Sequence, residues 1–123
     1  MSYKFQTGSG DGREWKKRLD TFVVDYHDGE DHGMEYWEHL VDFYNRTMTA
    51  LIKAQKEGYG FILFTHGSST SRQGKQTARS EVRKIMRGKK GTPFIIRKNC
   101  IDYGSSFLAA IRPKNLPLII IDT

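Results

Sequence analysis

Phe61-Ile62-Leu63-Phe64 is a run of four apolar residues with no polar position to face water, set between Gly58 and Gly60 on one side and Thr65-His66-Gly67 on the other. A run this short suits a strand better than a globular helix. Without alternation it needs cover on both faces, as the inner strands of a parallel sheet do. The constraint points to an α/β domain. In open α/β sheets ligands bind beyond the carboxyl ends of the strands, which makes the residues after Phe64 candidates for a site. They run Thr65, His66, Gly67, Ser68, Ser69, Thr70, Ser71, Arg72, Gln73, Gly74 and Lys75, a stretch of hydroxyls, glycines and cations.

The flanking patterns supply the other elements. From Met34 to about Glu57, apolar residues at 37, 40, 41, 44, 48, 51 and 52 keep one helical stripe. Thr21 to Tyr26 (TFVVDY) is β-branched and aromatic and predicts a first strand, with Asp25, His27 and Asp28 at its exit. Strand, helix and strand then form a parallel crossover that places the two strand ends side by side. After the hydroxyl-rich loop, Ala78, Val82, Ile85 and Met86 share a helical face and predict a helix over 78–87, with Thr77 as N-cap and Gly88 past its end. Pro93 to Ile101 (PFIIRKNCI) predicts a strand, and Ser106 to Ile111 returns as the second arm of a hairpin that Pro113 stops. The expected fold is a single two-layer α/β domain over 19–123 in the order β-α-β-α-β-β. Residues 1–18, with Gly8, Gly10 and Gly12, read as a mobile arm that Trp15 pins to the body. The apolar tail LPLIII fits an edge strand or a contact surface.

Charge is divided unevenly along the chain. From His66 onward there are 12 Lys and Arg against three acids, a net of +9, whereas residues 1–65 carry 8 against 11, a net of −3. Arg79, Arg83 and Arg87 recur every four residues and form a cationic rail along the second helix. With the loop hydroxyls and helix amides at its head, such a rail suits phosphate, and the partner it implies is nucleic acid, DNA or RNA. No segment joins a basic face to a broad apolar insertion face, so a membrane is not the expected partner. The plainer reading is a solvated basic face on an amphipathic helix. A single cysteine, Cys100, excludes an intramolecular disulfide, and residues 1–18 lack an apolar signal core, so a reducing, cytoplasmic setting is expected.

The chemistry-bearing candidates are Asp25, His27 and His66. An imidazole titrates near neutrality and can move a proton in phosphodiester cleavage, with Asp25 orienting His27 or His66. The plainer reading is that Thr65 and His66 cap the strand. Gly67, Ser68, Ser69, Arg72, Lys75, Arg79 and Arg83 are the candidate phosphate contacts. Asp25, His27, Asp28, Glu30, Asp31 and His32 have the donor types for a divalent metal but match no closed metal motif, and an acidic solvated loop explains them as well. The glycines at 67 and 74 are too far apart for a nucleotide-triphosphate loop. Cys100 on a strand reads as buried rather than nucleophilic.

Asp25-Tyr26-His27 after the first strand and His66-Gly67 after the second, within the order β-α-β-α-β-β, resemble the Smr (small MutS-related) domain family over roughly residues 20–112. The hallmarks of that family are a Leu-Asp-x-His-Gly motif and a later His-Gly-x-Gly motif. Asp28 stands where the first motif has glycine, Ser69 stands at the second glycine of the other, and the loop 67–76 is longer. The resemblance implies a fold like the C-terminal domain of translation initiation factor 3. It also implies binding or nicking of DNA or RNA, in a family holding both nucleases and members for which cleavage is in doubt. Two functions stay open: a small endonuclease, or a nucleic-acid-binding module without catalysis.

Overall fold

The computed structural model of the chain describes residues 5–26, 36–66, 71–72, 75–76 and 78–114. In chain order the elements are β1 (Gln6–Thr7), a 3₁₀ turn (Arg13–Lys17), β2 (Thr21–Asp25), α1 (Tyr36–Glu57), β3 (Phe61–Thr65), β4 (Ser71–Arg72), β5 (Lys75–Gln76), α2 (Ala78–Arg87), a second 3₁₀ turn (Arg97–Asn99), β6 (Ile101–Asp102) and β7 (Ser106–Ala110). It is a mixed α/β domain built on one five-stranded sheet, ordered β1-β6-β7-β3-β2, with a separate two-stranded ladder of β4 and β5. β2 runs parallel to β3 from Thr21↔Phe61 to Asp25↔Thr65. β7 lies antiparallel between β3 and β6.

Ile62, Leu63 and Phe64 are all 0% exposed, so β3 has cover on both faces. On one face Phe22, Val24, Ile62, Phe64, Phe107 and Ala109 join the side chains of both helices in a single core. Leu63 and its cross-strand partner Leu108 point the other way and are equally buried. Their cover is the N-terminal segment: Trp15 packs tilted against Phe61 with ring centroids 4.8 Å apart, and the Asp11 carbonyl accepts a hydrogen bond from Ser106 Oγ. Over residues 5–18 the expected loose arm is therefore replaced by structure. β1 pairs with β6 in parallel, Phe5 packs edge-on against Phe107, and Trp15 Nε1 donates to Tyr103 Oη at 2.8 Å, the pinning expected of that tryptophan. Gly12 makes this closure sterically feasible. Its φ is +73°, and a Cβ there would sit 2.8 Å from the Tyr103 ring.

α1 forms over the expected stretch, but its buried face is rotated from the stripe of large apolar residues. Thr47, Ala50, Leu51 and Ala54 are buried, while Val41 and Ile52 are 50% and 52% exposed. Small side chains at 50 and 54 let the helix approach the sheet closely, which outweighs the size of the residues left outside. α2 keeps its expected bounds, and Ala78, Val82, Ile85 and Met86 are all buried.

The expected strand over 93–101 shrinks to Ile101–Asp102. Ile95 makes one bridge to Ile111, and the chain then turns through Arg97–Asn99. The cause is Arg97, 4% exposed, whose Nε donates to Met86 O at 2.8 Å and whose Nη2 donates to Gly88 O at 2.6 Å and to Thr92 Oγ1 at 3.1 Å. A guanidinium thus caps carbonyls at and just past the C-terminal end of α2, where Gly88 O also accepts from Gly91 N at 3.2 Å, and the local positive charge suits that end of the dipole. Gly91 permits the tight return below it, since a Cβ there would lie 2.7 Å from Ile85 O.

Replacing Arg97 by alanine removes the guanidinium donor from Met86 O and Thr92 Oγ1 and one of the two donors from Gly88 O. Arg97→Ala is expected to lower unfolding stability by about 3 kcal/mol in a urea titration, against less than about 0.5 kcal/mol for the exposed neighbour Lys98→Ala.

Candidate nucleic-acid interface

The parallel pairing of β2 and β3 brings their carboxyl ends together, with Asp25 opposite Thr65 and Tyr26 N donating to Thr65 O at 3.0 Å. Strand alternation then separates the candidates. Val24, Phe64 and His66 point to the helix face, whereas Asp25 and Thr65 line a pocket on the opposite face with Arg13 and Lys16. Asp25 therefore does not orient His66. His27, Gly67, Ser68 and Ser69 lie outside the described residues, as do Asp28, Glu30, Asp31, His32, Thr77 and the tail LPLIII. Arg72 and Lys75 face each other in the register of the β4–β5 ladder, a short antiparallel pair within what the sequence suggests is a loop.

The partner of His66 is Arg83. Arg83 Nη1 lies 2.8 Å from His66 Nε2 and also donates to Arg79 O at 3.4 Å. Arg83 Nε reaches Asp102 Oδ2 at 3.3 Å, and Nη2 forms an ion pair with Asp102 Oδ1. The guanidinium is 5% exposed and lies over the Phe107 ring at 5.6 Å. A guanidinium can only donate, so its contact makes His66 Nε2 an acceptor, and a neutral ring carries its proton on Nδ1. Arg83 is thus committed inside the protein, and the Nε2 lone pair of His66, 7% exposed, is in use.

Asp102 was not among the site candidates. One signal was present: it is one of only three acids after His66, and it precedes the turn Tyr103-Gly104-Ser105. Asp102 Oδ1 accepts from Gly104 N at 2.9 Å, and Gly104 takes φ +87°, so the carboxylate both closes the β6–β7 turn and neutralises Arg83. Burial works to raise its carboxyl pKa, but hydrogen bonds from Arg83 and the Gly104 amide, with the charges of Arg83 and Arg79, hold it below the ordinary 3.8.

Outside this buried chain, α2 borders an open groove of about 630 Å³ lined by Arg79, Ser80, Arg83, Lys84, Arg87, Gly88 and Asp102. The expected rail therefore lies along one groove, with Lys84 added to it. Lys84 and Arg87 are exposed, and Arg79 Nε is buried with no hydrogen-bond acceptor among the described residues. Among the described residues the single acid in the lining is Asp102, already engaged by Arg83. Cys100 is buried, and burial pushes its thiol up to about 12, far from a nucleophile. Among the described residues there is no group of three or more His, Cys, Asp or Glu able to hold a metal ion, and no helix is long and apolar enough to cross a membrane. Comparison with protein-family models, curated proteins and solved structures found no match to this chain.

A carboxyl held below its ordinary pKa contributes stability that is present at neutral pH and lost as pH falls through its folded-state value. Asp102→Asn is expected to cost about 2 kcal/mol at pH 7, reduced by water screening at the partly exposed carboxylate. The gap to the wild type should narrow as pH falls below the ordinary carboxylate range and through the depressed folded-state value. Urea unfolding at stepped pH checks this, and a gap that does not narrow between about pH 5 and pH 2 counts against the charge pairing.

Proposed function

We propose that this chain is an Smr-like domain that binds nucleic acid by gripping the sugar–phosphate backbone along α2. The observation that carries the proposal is the groove in which Arg79, Lys84 and Arg87 stand with one acid that is already paired. Exposed cations on a rigid helix attract polyanions with little reorganisation. Among the described residues no aromatic side chain lines the groove, which favours contact with the backbone over reading of bases. The parallel β2–β3 pair, with a helix after each strand and a closing β6–β7 hairpin, supports the Smr resemblance and a fold like the C-terminal domain of translation initiation factor 3. A cytoplasmic setting belongs to the same proposal.

Cleavage of a phosphodiester is the second reading, favoured by the imidazole of His66 directly behind Arg83. Its chemistry requires that Arg83 release Nε2, or that Nδ1 act as the proton donor. Asp25 and His27 belong to this reading as the residues at the end of β2, and a divalent metal remains compatible with it.

The binding test replaces groove cations that carry no buried structural role. Lys84→Ala/Arg87→Ala is expected to weaken binding to duplex and single-stranded probes alike, and to reduce the slope of log K against log salt by about two. Unchanged affinity and slope remove the groove from the site. For cleavage, His66→Ala is expected to lower the rate by about 10²- to 10⁴-fold with binding nearly intact. Full turnover in that variant, or no cleavage of RNA, duplex DNA or supercoiled plasmid with and without divalent metal, leaves the binding function alone.

A further inference from the structure

The segment from Asp11 to Lys16 walls a second polar pocket at the same end of the sheet, and we propose that this pocket holds one ribose–phosphate unit of an RNA strand. The inference rests on the nucleic-acid reading above and names its substrate class. The pocket has a volume of about 230 Å³ and lies on the sheet face opposite α2, between Asp11, Arg13 and Lys16 on one side and Asp25, Thr65 and Ser106 on the other. It is below the roughly 300–1,000 Å³ that encloses a drug-sized molecule, so it suits one sugar–phosphate unit rather than a whole cofactor.

Its two walls differ in hydrogen-bonding character. Thr65 Oγ1 donates its proton to Val24 O at 3.3 Å, and Ser106 Oγ donates to Asp11 O. Ser106 is 1% exposed and committed to Asp11, whereas Thr65 Oγ1 presents its lone pairs to the pocket and, with the Asp25 carboxylate, makes the sheet-side wall an acceptor surface. The opposite wall donates: Arg13 is 80% exposed and shares its charge with Asp11, and Lys16 is exposed with no acidic partner among the described residues. A ligand that satisfies both walls carries hydroxyl donors on one side and an anion on the other. A ribonucleotide backbone has this form, because the 2′-hydroxyl supplies the donor that DNA lacks. A carboxylate accepting from ribose hydroxyls is also how dinucleotide-binding folds hold that sugar.

Position links the pocket to the groove. Thr65 lines the pocket, and the next residue, His66, faces α2 through Arg83. A strand laid over the carboxyl ends of β2 and β3 thus meets cations on both faces of the sheet, from α2 on one and from the N-terminal segment on the other.

The test is fluorescence anisotropy with the full chain and RNA and DNA oligonucleotides of matched sequence and length. The wild type is expected to bind RNA about tenfold more tightly than DNA, the value of one hydrogen bond to a charged group. Arg13→Ala/Lys16→Ala should weaken both probes and lower the salt slope by about one, for the one phosphate held there. Asp25→Ala should bring the RNA-to-DNA affinity ratio close to one, and the ratio is the readout because losing a negative charge strengthens attraction to either backbone. All three positions are exposed, and circular dichroism with thermal unfolding verifies that the variants fold. Equal wild-type affinities, an RNA preference retained in Asp25→Ala, or an unchanged slope in the double variant overturns the ribose–phosphate pocket. If Lys84→Ala/Arg87→Ala still weakens binding in that case, the groove reading stands without the pocket. Absence of binding to either probe overturns both.

Discussion

A strand with no water on either side requires two covering layers, and β3 imposes that requirement on the whole molecule. Both helices pack on one face, with Ala50 and Ala54 bringing α1 close and Val82, Ile85 and Met86 filling from α2. The other face is closed by residues that precede the first long strand, through Trp15 on Phe61 and through the Asp11 contact with Ser106. Removing apolar surface from water stabilises by about 25 cal/mol per Å². The burial of Leu63 and Leu108 is therefore reason enough for an otherwise polar, glycine-containing segment to settle on the sheet. The same settling carries Arg13 and Lys16 to the end of the sheet where β2 and β3 stop.

Buried charge is the second organising constraint. Arg83 and Arg97 are both nearly inaccessible, and each is held where its guanidinium serves several acceptors at once. Arg97 serves one carbonyl in the last turn of α2 and one just past it, which fixes where that helix ends and why the chain after Ile95 abandons a ladder. Arg83 serves the Asp102 carboxylate, the Arg79 carbonyl and His66 Nε2, joining α2 to the ends of β3 and β6. Taking one partner from such a group leaves an uncompensated charge in a poorly solvated place, which is costly by several kcal/mol in general. Arg83 is therefore the hinge between stability and function. It anchors α2 against the sheet and occupies the imidazole that the cleavage reading needs.

The groove along α2 gains its character from this division of labour. Because Asp102 is consumed by Arg83, the one acid in the lining does little to offset Arg79, Lys84 and Arg87, and the surface remains cationic. Fourfold spacing of arginines along a helix does not by itself distinguish a buried clamp from a surface contact. Of the three, Arg79 and Arg87 remain for a ligand, and Lys84 joins them from the adjacent position.

The sequence alone determined the elements whose signal is local. The apolar run 61–64, the periodicity of 78–87 and the strand 21–25 follow from burial patterns within a few residues, and β-branched or helical spacing specifies them without reference to the rest of the chain. The sequence also determined the concentration of positive charge after His66. Tertiary structure decided which side chains meet. The carboxylate associated with His66 is Asp102, 36 positions away and acting through Arg83, rather than Asp25, because alternation along β2 and β3 sends Asp25 and His66 to opposite faces. Tertiary structure likewise exposed Val41 and Ile52, cut the expected strand over 93–101 to two residues, and turned residues 5–18 from an arm into the cover of the sheet. In each case the deciding energy is a contact between segments far apart in the chain, and no local pattern records it.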